Sequence, residues 1–226
     1  MNRPETDTPR LPPRSGGPAD SLVVLLHGYG ADGRDLLDLA DAFGDLLPGA
    51  AFAAPHAPEP CAQAPVGRQW FALDDLDPRR LAMGVDSAVP ALVRVLEDER
   101  ARWGVAPDRV ALVGFSQGAM MALGAMLRLP APPAAVVALS GLWAGPRPQT
   151  PPAALPPVCL IHGMEDEVVP AGALLASAVG LSEAGIPVEW HLCPGLGHGI
   201  DARGLGLTGA FLHQGLAPGL KTGRGP

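Results

Sequence analysis

Residues 110–123, VALVGFSQGAMMAL, decide how the rest of the chain is organised. A short valine-rich run of strand length ends at Gly114, and a helix-forming run of alanine, methionine and leucine starts after Gly118. The pattern Gly-x-Ser-x-Gly between them is typical of a sharp turn from strand to helix, where a strained serine needs small neighbours two positions away on each side. Such a turn exposes the hydroxyl of Ser116 above the sheet and aims the positive end of the following helix at it.

A glycine-rich turn whose serine only caps the helix is the alternative interpretation of this pattern. The five residues alone do not separate the two. The strand before and the helix after them are the context that a nucleophilic serine needs, and they favour that role for Ser116.

The composition is that of one globular domain. The 226 residues carry a net charge of −7, and 47% of them are apolar against 17% charged. A chain of this length can bury one substantial core. It shows no basic cluster, so we expect neither a nucleic-acid partner nor binding to an anionic membrane. We expect one domain over residues 21–216, a flexible proline-rich leader at residues 1–20 and a flexible tail at residues 217–226.

The cysteine content indicates a reducing compartment. Cys61, Cys159 and Cys193 are odd in number and too scattered for a disulfide framework, which favours a cytoplasmic protein. The sequence has no CxxC pair and no His/Cys cluster, so we expect no bound metal. It has no apolar stretch long enough to span a bilayer, so we expect no stable membrane anchor. The oligomeric state, including a homodimer, stays open.

Apolar runs of strand length alternate with helical patterns along the chain. The expected strands cover residues 21–26, 50–54, 110–114, 135–139, 158–161 and 188–192. The expected helices cover residues 34–47, 87–103, 119–129, 171–184 and 205–216. In the second of these helices Ser87 is the expected cap and Pro90 falls in the first turn. The alternation predicts a mostly parallel twisted sheet with helices on both faces.

Candidate partners for Ser116 follow it in the chain. A serine nucleophile needs a base to accept its proton and an acid to orient that base. His198 lies among three glycines, which offer the ring no wall to pack on, whereas His191 lies inside a strand and His213 in the last helix. Residues 165–167 are three consecutive carboxylates after a buried strand, which fits the α/β-hydrolase order of serine, acid and histidine. Residue types alone leave the choice among these three acids open.

Six short motifs occur in series between residues 22 and 215. They are LHGYGADG at 26–33, PHAP at 55–58, QWF at 69–71, GFSQG at 114–118, HGMEDEVVP at 162–170 and GH at 197–198. In this order they resemble the carboxylesterase/phospholipase family of α/β-hydrolases, whose members include acyl-protein thioesterases. The resemblance implies an α/β-hydrolase fold and a serine esterase. It also implies that Asp166, four residues after His162, is the acid beside His198.

The same resemblance implies an oxyanion hole made of two backbone N–H groups, those of Tyr29 and Gln117. The family commonly has leucine at the position of Tyr29 and proline at that of Glu167. The resemblance further implies that Gln69, Trp70 and Phe71 lie near the substrate groove, and ordinary core aromatic residues are the alternative interpretation of this motif.

The expected substrate is a small-molecule carboxylic ester with a short to medium acyl chain, with an acyl-protein thioester or a lysophospholipid as the alternative. The chain leaves little length for a lid domain outside the core elements. The proline-rich connections at residues 55–81 and 142–157 are limited in how far they can close over a ligand. Leu142 and Trp143, with the two aromatic residues above, are the apolar side chains that these connections offer to an acyl chain. No cofactor is implied.

Two other functions are compatible with parts of the sequence. Residues 28–33 satisfy the GxGxxG dinucleotide fingerprint after a strand and before a helix. A nicotinamide-dependent enzyme also needs an acid at the end of the second strand, and residues 50–55 have none. The second alternative is an inactive hydrolase scaffold that acts as a binding protein, which the complete Ser-Asp-His set disfavours.

Overall fold

The computed structural model describes residues 8–61, 63–145 and 155–217. The strands in these residues are β1 (Arg10–Leu11), β2 (Ser21–Leu26), β3 (Ala50–Ala53), β4 (Glu59–Pro60), β5 (Arg68–Gln69), β6 (Val110–Phe115), β7 (Ala135–Leu139), β8 (Val158–Gly163) and β9 (Val188–Cys193). Seven of them form one sheet in the order β1-β3-β2-β6-β7-β8-β9, in which only β1 is antiparallel. β4 and β5 form a separate antiparallel ribbon.

Helices cover both faces of the sheet. They are α1 (Arg34–Leu37), α2 (Ala40–Phe43), α3 (Pro78–Trp103), α4 (Gln117–Ala125), α5 (Gly172–Glu183) and α6 (Ala202–Leu216). α3, α4 and α5 contribute to the apolar cluster on one face, and α1, α2 and α6 contribute to the cluster on the other. Strands β2, β7 and β8 are buried along their whole length, as is typical of parallel strands covered on both sides. The predicted mostly parallel sheet with two helical layers is confirmed.

The long helix α3 differs from the prediction, which began at Ser87. Its cap is Asp77, whose carboxylate accepts hydrogen bonds from the Arg79 and Arg80 N–H groups, with Pro78 in the first turn. The hydroxyl of Ser87 instead donates to the Gly84 carbonyl inside the helix. Pro90 therefore lies mid-helix, because the packing of a 26-residue helix on the core compensates for one missing backbone hydrogen bond.

Other helix boundaries also differ from the sequence-based prediction. The helix predicted over residues 34–47 is two short helices, α1 and α2. α4 ends at Ala125, four residues before the predicted end, and α6 begins at Ala202 because Asp201 caps it through the Gly204 N–H. The strand boundaries agree with the prediction to within two residues, since continuous apolar runs mark buried strands more sharply than helix ends.

Part of the expected leader, from residue 8 onward, packs on the sheet. β1 pairs antiparallel with β3 at the edge of the sheet. The guanidinium of Arg10 forms a two-pronged ion pair with the buried carboxylate of Glu99 on α3, at 2.7–3.0 Å. The sheet thus includes residues before residue 21. Residues 1–7 and nearly all of the predicted tail lie outside the described residues.

None of the described helices has the length and the apolar character needed to cross a membrane.

Candidate active site

Ser116 occupies the sharp turn between β6 and α4. Its backbone has φ 54° and ψ −117°, a conformation that side-chain-bearing residues rarely adopt and that stores strain at this turn. A Cβ added at Gly114 would lie 2.2 Å from the Gly118 carbonyl oxygen, and one at Gly118 would lie 1.9 Å from the Leu26 carbonyl oxygen. The two glycines are therefore required by close backbone approach, as the sequence pattern predicts.

His198 lies beside the serine hydroxyl. Its Nε2 is 3.0 Å from the Ser116 Oγ, and its Nδ1 is 2.8 Å from the Asp166 Oδ2. The imidazole is thus held between a hydroxyl and a carboxylate. The ring of Phe115 packs against it with centroids 5.0 Å apart, which restrains the imidazole from a third side.

Asp166 is the carboxylate that reaches His198. Its side chain is fully buried, and its second oxygen accepts hydrogen bonds from the Val168 and Val169 N–H groups, both at 2.9 Å. Burial opposes ionisation, but the hydrogen bonds from His198 and from these two N–H groups outweigh it and hold the pKa of Asp166 below its ordinary value. Glu165 and Glu167 on either side are exposed. The structure therefore separates three carboxylates that the residue types could not.

His162 is a contact of the acid to which the sequence assigned no role. Its Nε2 lies 2.8 Å from the Val169 carbonyl oxygen and 3.2 Å from the Asp166 Oδ2, and the ring is buried. Its N–H therefore fixes the loop that holds Asp166. The spacing of four residues between His162 and Asp166 was visible in the sequence, but their contact depends on how the loop turns back.

The loop after β2 brings a backbone N–H beside the serine. A Cβ added at Gly28 would lie 3.4 Å from the Ser116 Cβ, so the peptide that leads into Tyr29 passes close to the nucleophile. Gln117 begins α4 directly after Ser116. Within the described residues, neither the Tyr29 nor the Gln117 N–H donates a hydrogen bond to the protein. Neither N–H group is therefore used by a hydrogen bond within the described fold.

A model of the phospholipase/carboxylesterase family matches residues 14–215. The chain belongs to this family. The esterase YpfH of Escherichia coli (strain K12) is 32% identical over 188 residues, which cover 83% of this chain and 80% of that protein.

Solved structures agree with the family assignment. The crystal structure of esterase PE8 is 43% identical, with a TM-score of 0.82 over 91% of this chain and 96% of that one. Arabidopsis thaliana SOBER1 is 27% identical, with a TM-score of 0.76 over 88% of this chain and all of that one. The predicted family and the α/β-hydrolase fold are confirmed, and with them the class of carboxylic ester hydrolase.

Membership of the phospholipase/carboxylesterase family accounts for the GxGxxG spacing without a dinucleotide. A Cβ added at Gly33 would lie 1.9 Å from the Ala54 carbonyl oxygen, so this glycine permits contact between the loop and the protein's own backbone. Gly30 has a positive φ of 77°, a conformation that favours glycine. The fingerprint thus reflects the turn and the close packing of the loop after β2.

Trp70 and Phe71 are buried aromatic residues, which agrees with the second of the two interpretations that the sequence left open. Their exposed fractions are 1% and 2%, which leaves no surface for an acyl chain. The Trp70 indole N–H donates to the His27 carbonyl at 3.0 Å. The side-chain amide of Gln117 bonds to both backbones, accepting from Trp70 N–H at 2.9 Å and donating to the Phe71 carbonyl at 2.7 Å. These aromatic residues therefore brace both loops that carry the predicted oxyanion donors.

His27 adds two further hydrogen bonds between the loops around the serine. Its Nδ1 lies 2.8 Å from the Gly28 carbonyl oxygen, and its Nε2 accepts a hydrogen bond from the Ala57 N–H at 3.0 Å. Burial lowers the pKa of His27, so the ring is neutral and can accept and donate at once. It ties the loop after β2 to the loop after β3.

Leu142 and Trp143 keep partly exposed side chains. They follow Gly141, where an added Cβ would lie 3.1 Å from the Ser116 carbonyl oxygen. The Trp143 N–H donates to the Ser177 hydroxyl at 2.8 Å, and its ring lies over Gly180 of α5. This pair is the apolar surface that continues from the serine turn toward α5. The rest of that connection, residues 146–154, lies outside the described residues.

Proposed function

We propose that this protein is a serine esterase that uses Ser116, His198 and Asp166 as a catalytic triad. The observation that carries the proposal is the unbroken series of contacts from the Ser116 Oγ through both nitrogens of His198 to the Asp166 carboxylate, at 3.0 and 2.8 Å. A hydroxyl is a weak nucleophile at neutral pH unless an adjacent base accepts its proton. The series supplies that base and its orienting acid.

The reaction divides into two steps on these residues. The Ser116 Oγ attacks the ester carbonyl carbon while its proton passes to the His198 Nε2, and His198 then gives that proton to the leaving alcohol. Water subsequently attacks the acyl-enzyme, with the same nitrogen as base, and releases the acid and the free serine. Asp166 stays ionised throughout, because its lowered pKa keeps it negative, and it stabilises the imidazolium that forms in each step.

The oxyanion is stabilised by the N–H groups of Tyr29 and Gln117. Donors that are already oriented toward developing charge need no reorganisation during the reaction, and one such donor contributes about 10²- to 10³-fold to turnover. The buried hydrogen bonds of the Gln117 side chain and the His27 ring support this role because they fix both loops before substrate arrives.

A fluorophosphonate probe tests the proposal directly. It is expected to label the purified protein at Ser116, because only an activated serine attacks the phosphorus at a useful rate. The Ser116→Ala variant is the control and should remain unlabelled. An unlabelled wild-type protein would favour the inactive scaffold instead.

The proposed substrates are esters with short to medium acyl chains. Support comes from Leu142 and Trp143, which are only partly exposed and so offer little apolar surface to an acyl chain. Each buried CH₂ contributes about 0.8 kcal/mol, or roughly fourfold in kcat/KM, whereas one that extends into water adds almost nothing.

With aryl esters of increasing length, kcat/KM is therefore expected to rise over the first few carbons and then to flatten or fall. The series is measured below the critical micellar concentration of each substrate. A steady rise to palmitoyl esters, or activity that begins only above that concentration, would instead require a covered acyl tunnel.

A thioesterase is the second candidate because one relative carries that name. The acyl-protein thioesterase 1 of Gibberella zeae is 28% identical over 220 residues, which cover 88% of this chain. The same catalytic residues can open an oxygen ester or a thioester. Comparison of kcat/KM for an aryl ester, an acyl thioester and a lysophospholipid of equal acyl length ranks these leaving groups.

Replacement of Tyr29 by leucine tests whether the oxyanion donor is the backbone. The Tyr29 hydroxyl forms a hydrogen bond with the Cys61 thiol, which raises the pKa of this tyrosine. The N–H group survives the change to leucine, so kcat for an acetyl ester is expected to fall by less than about fivefold. Loss of an oxyanion donor itself would lower kcat by about 10²- to 10³-fold. A loss of about 100-fold would show that the side chain itself acts in catalysis.

We also propose a cytoplasmic location. Cys61, Cys159 and Cys193 are free and buried, which suits a reducing compartment. Fractionation of cells that express the tagged chain tests it.

A further inference from the structure

A second group of reactive side chains lies on β8 and β9, apart from the candidate active site. It consists of Cys159, Glu189 and His191, and one ligating atom from each lies within 4.8 Å of the other two. Among the described residues, this is the group of three thiol, carboxylate and imidazole side chains that meets the spacing required of metal ligands. None of the three belongs to the proposed esterase mechanism.

The register of the two strands explains why the side chains meet. Cys159 pairs with Glu189, and Ile161 pairs with His191. Directly paired residues project from the same face of a sheet, as do residues two apart on one strand. The thiol, the carboxylate and the imidazole therefore share one face, although thirty residues of sequence separate the first two.

The cluster is accessible from one side. β9 is the last strand of the sheet, so its outer flank has no neighbouring strand. The side chain of Glu189 is 51% exposed and that of His191 is 28% exposed, whereas Cys159 is fully buried. An ion can therefore reach the carboxylate and the imidazole from solvent, and the buried thiol lies within 4.8 Å of both.

The distance between the ligand atoms of His191 and Glu189 matches one edge of a tetrahedral metal site. His191 Nε2 and Glu189 Oε1 are 3.4 Å apart. Two ligands that bind zinc at 2.0–2.2 Å with a tetrahedral angle are about 3.4 Å apart. Cys159 pairs directly with Glu189 across the two strands, and its thiol lies within 4.8 Å of the carboxylate and of the imidazole.

We propose that Cys159, Glu189 and His191 bind one zinc-class divalent metal ion, with water as the fourth ligand. Binding breaks the Cys159 S–H bond, forms a metal–sulfur bond and releases the proton to solvent. The thiolate and the carboxylate then neutralise the two positive charges of the ion, and His191 binds as the neutral imidazole. A thiolate in the ligand set selects zinc, and its cobalt and cadmium analogues, over magnesium or calcium.

The bound ion would crosslink the edge strand β9 to its neighbour β8. Metal binding to the folded chain alone raises the apparent stability by mass action. β9 leads within five residues to His198, so the same ion also secures the strand that delivers the candidate base. Cys159 lies four residues before the end of β8, about 13 Å along the strand, so the metal does not touch the triad.

Cobalt titration of the full-length protein tests the site, because Co²⁺ occupies zinc sites and reports a thiolate ligand by near-ultraviolet charge-transfer absorption. The wild type is expected to bind one Co²⁺ with this band and to lose the band when Zn²⁺ is added. Binding should release about one proton per ion in a weakly buffered titration. Zn²⁺ should also raise the melting temperature.

Variants of the three ligands assign the band. Cys159→Ser should abolish it, and His191→Gln and Glu189→Gln should each weaken Co²⁺ binding by at least about tenfold. The matched controls are Cys193→Ser, another buried free cysteine, and His213→Gln, another histidine outside the triad, and both should bind as the wild type does. If Cys159→Ser does not fold, Co²⁺ binding by His191→Gln and Glu189→Gln, which change exposed side chains, tests the site.

Two results would overturn the proposal. The first is a wild-type protein with no thiolate band at millimolar Co²⁺. The second is a band that persists unchanged in both His191→Gln and Glu189→Gln, which would locate the binding at another cysteine. Both results are independent of esterase activity, so neither bears on the proposed triad.

Discussion

Ser116→Ala is expected to reduce the turnover of an aryl ester by about three orders of magnitude or more, with the fold unchanged. Members of a triad act as a unit, so loss of the nucleophile removes the acyl-enzyme route and leaves only the contribution of the oxyanion donors and of substrate binding. Alanine loses no packing that matters here, because the serine hydroxyl faces His198 rather than the core. The measurement is kcat for an acetyl ester beside the melting temperature.

Ser140→Ala is the matched control for this variant. Ser140 is the other non-glycine residue of the described chain with a positive φ, at 50°, and it is also buried. Both substitutions change a buried serine with a positive φ and remove its hydroxyl, but only Ser116 carries the proposed nucleophile. The Ser140 hydroxyl instead donates a long hydrogen bond to the Gly199 carbonyl at 3.5 Å. Ser140→Ala should keep most of the activity. Equal losses in the two variants would assign the effect to the turns and not to chemistry.

Asp166→Asn is expected to lower kcat by about 10³- to 10⁴-fold, as is typical when the orienting acid of such a triad becomes an amide. The amide cannot hold His198 in the tautomer that leaves Nε2 free to accept the serine proton. It also removes the charge that stabilises the imidazolium. The fold should persist, since an amide oxygen can still accept the hydrogen bonds of Val168 and Val169.

Glu165→Gln and Glu167→Gln are the controls, because they remove one charge each from the same loop. Both side chains are exposed, and solvent screens charges at such positions. Their kcat values should lie within about threefold of the wild type. A large loss at Glu167→Gln with a small one at Asp166→Asn would show that the loop rearranges in solution and presents the other carboxylate to His198.

The local parts of this fold were predictable from the sequence. The buried strands are continuous apolar runs, and the serine turn depends on glycines two residues away on either side, so a few consecutive residues define each of them. The alternation of such runs with helical patterns indicates the parallel sheet, because parallel strands need crossover helices. The order of Ser116, Asp166 and His198 along the chain was likewise visible before any distance was known.

Tertiary structure alone decided which side chains meet. The sequence does not distinguish the three adjacent carboxylates at residues 165–167. In the structure, the loop after β8 buries Asp166 and leaves its two neighbours exposed to solvent. The sequence left Trp70 between the substrate groove and the core, and the structure buries it with hydrogen bonds to Gln117 and His27. Cys159 and His191 were unrelated residues in the sequence, and the register of β8 with β9 places them together. Local patterns depend on neighbours within a few residues, whereas strand register and the direction of a loop depend on the packing of the whole sheet.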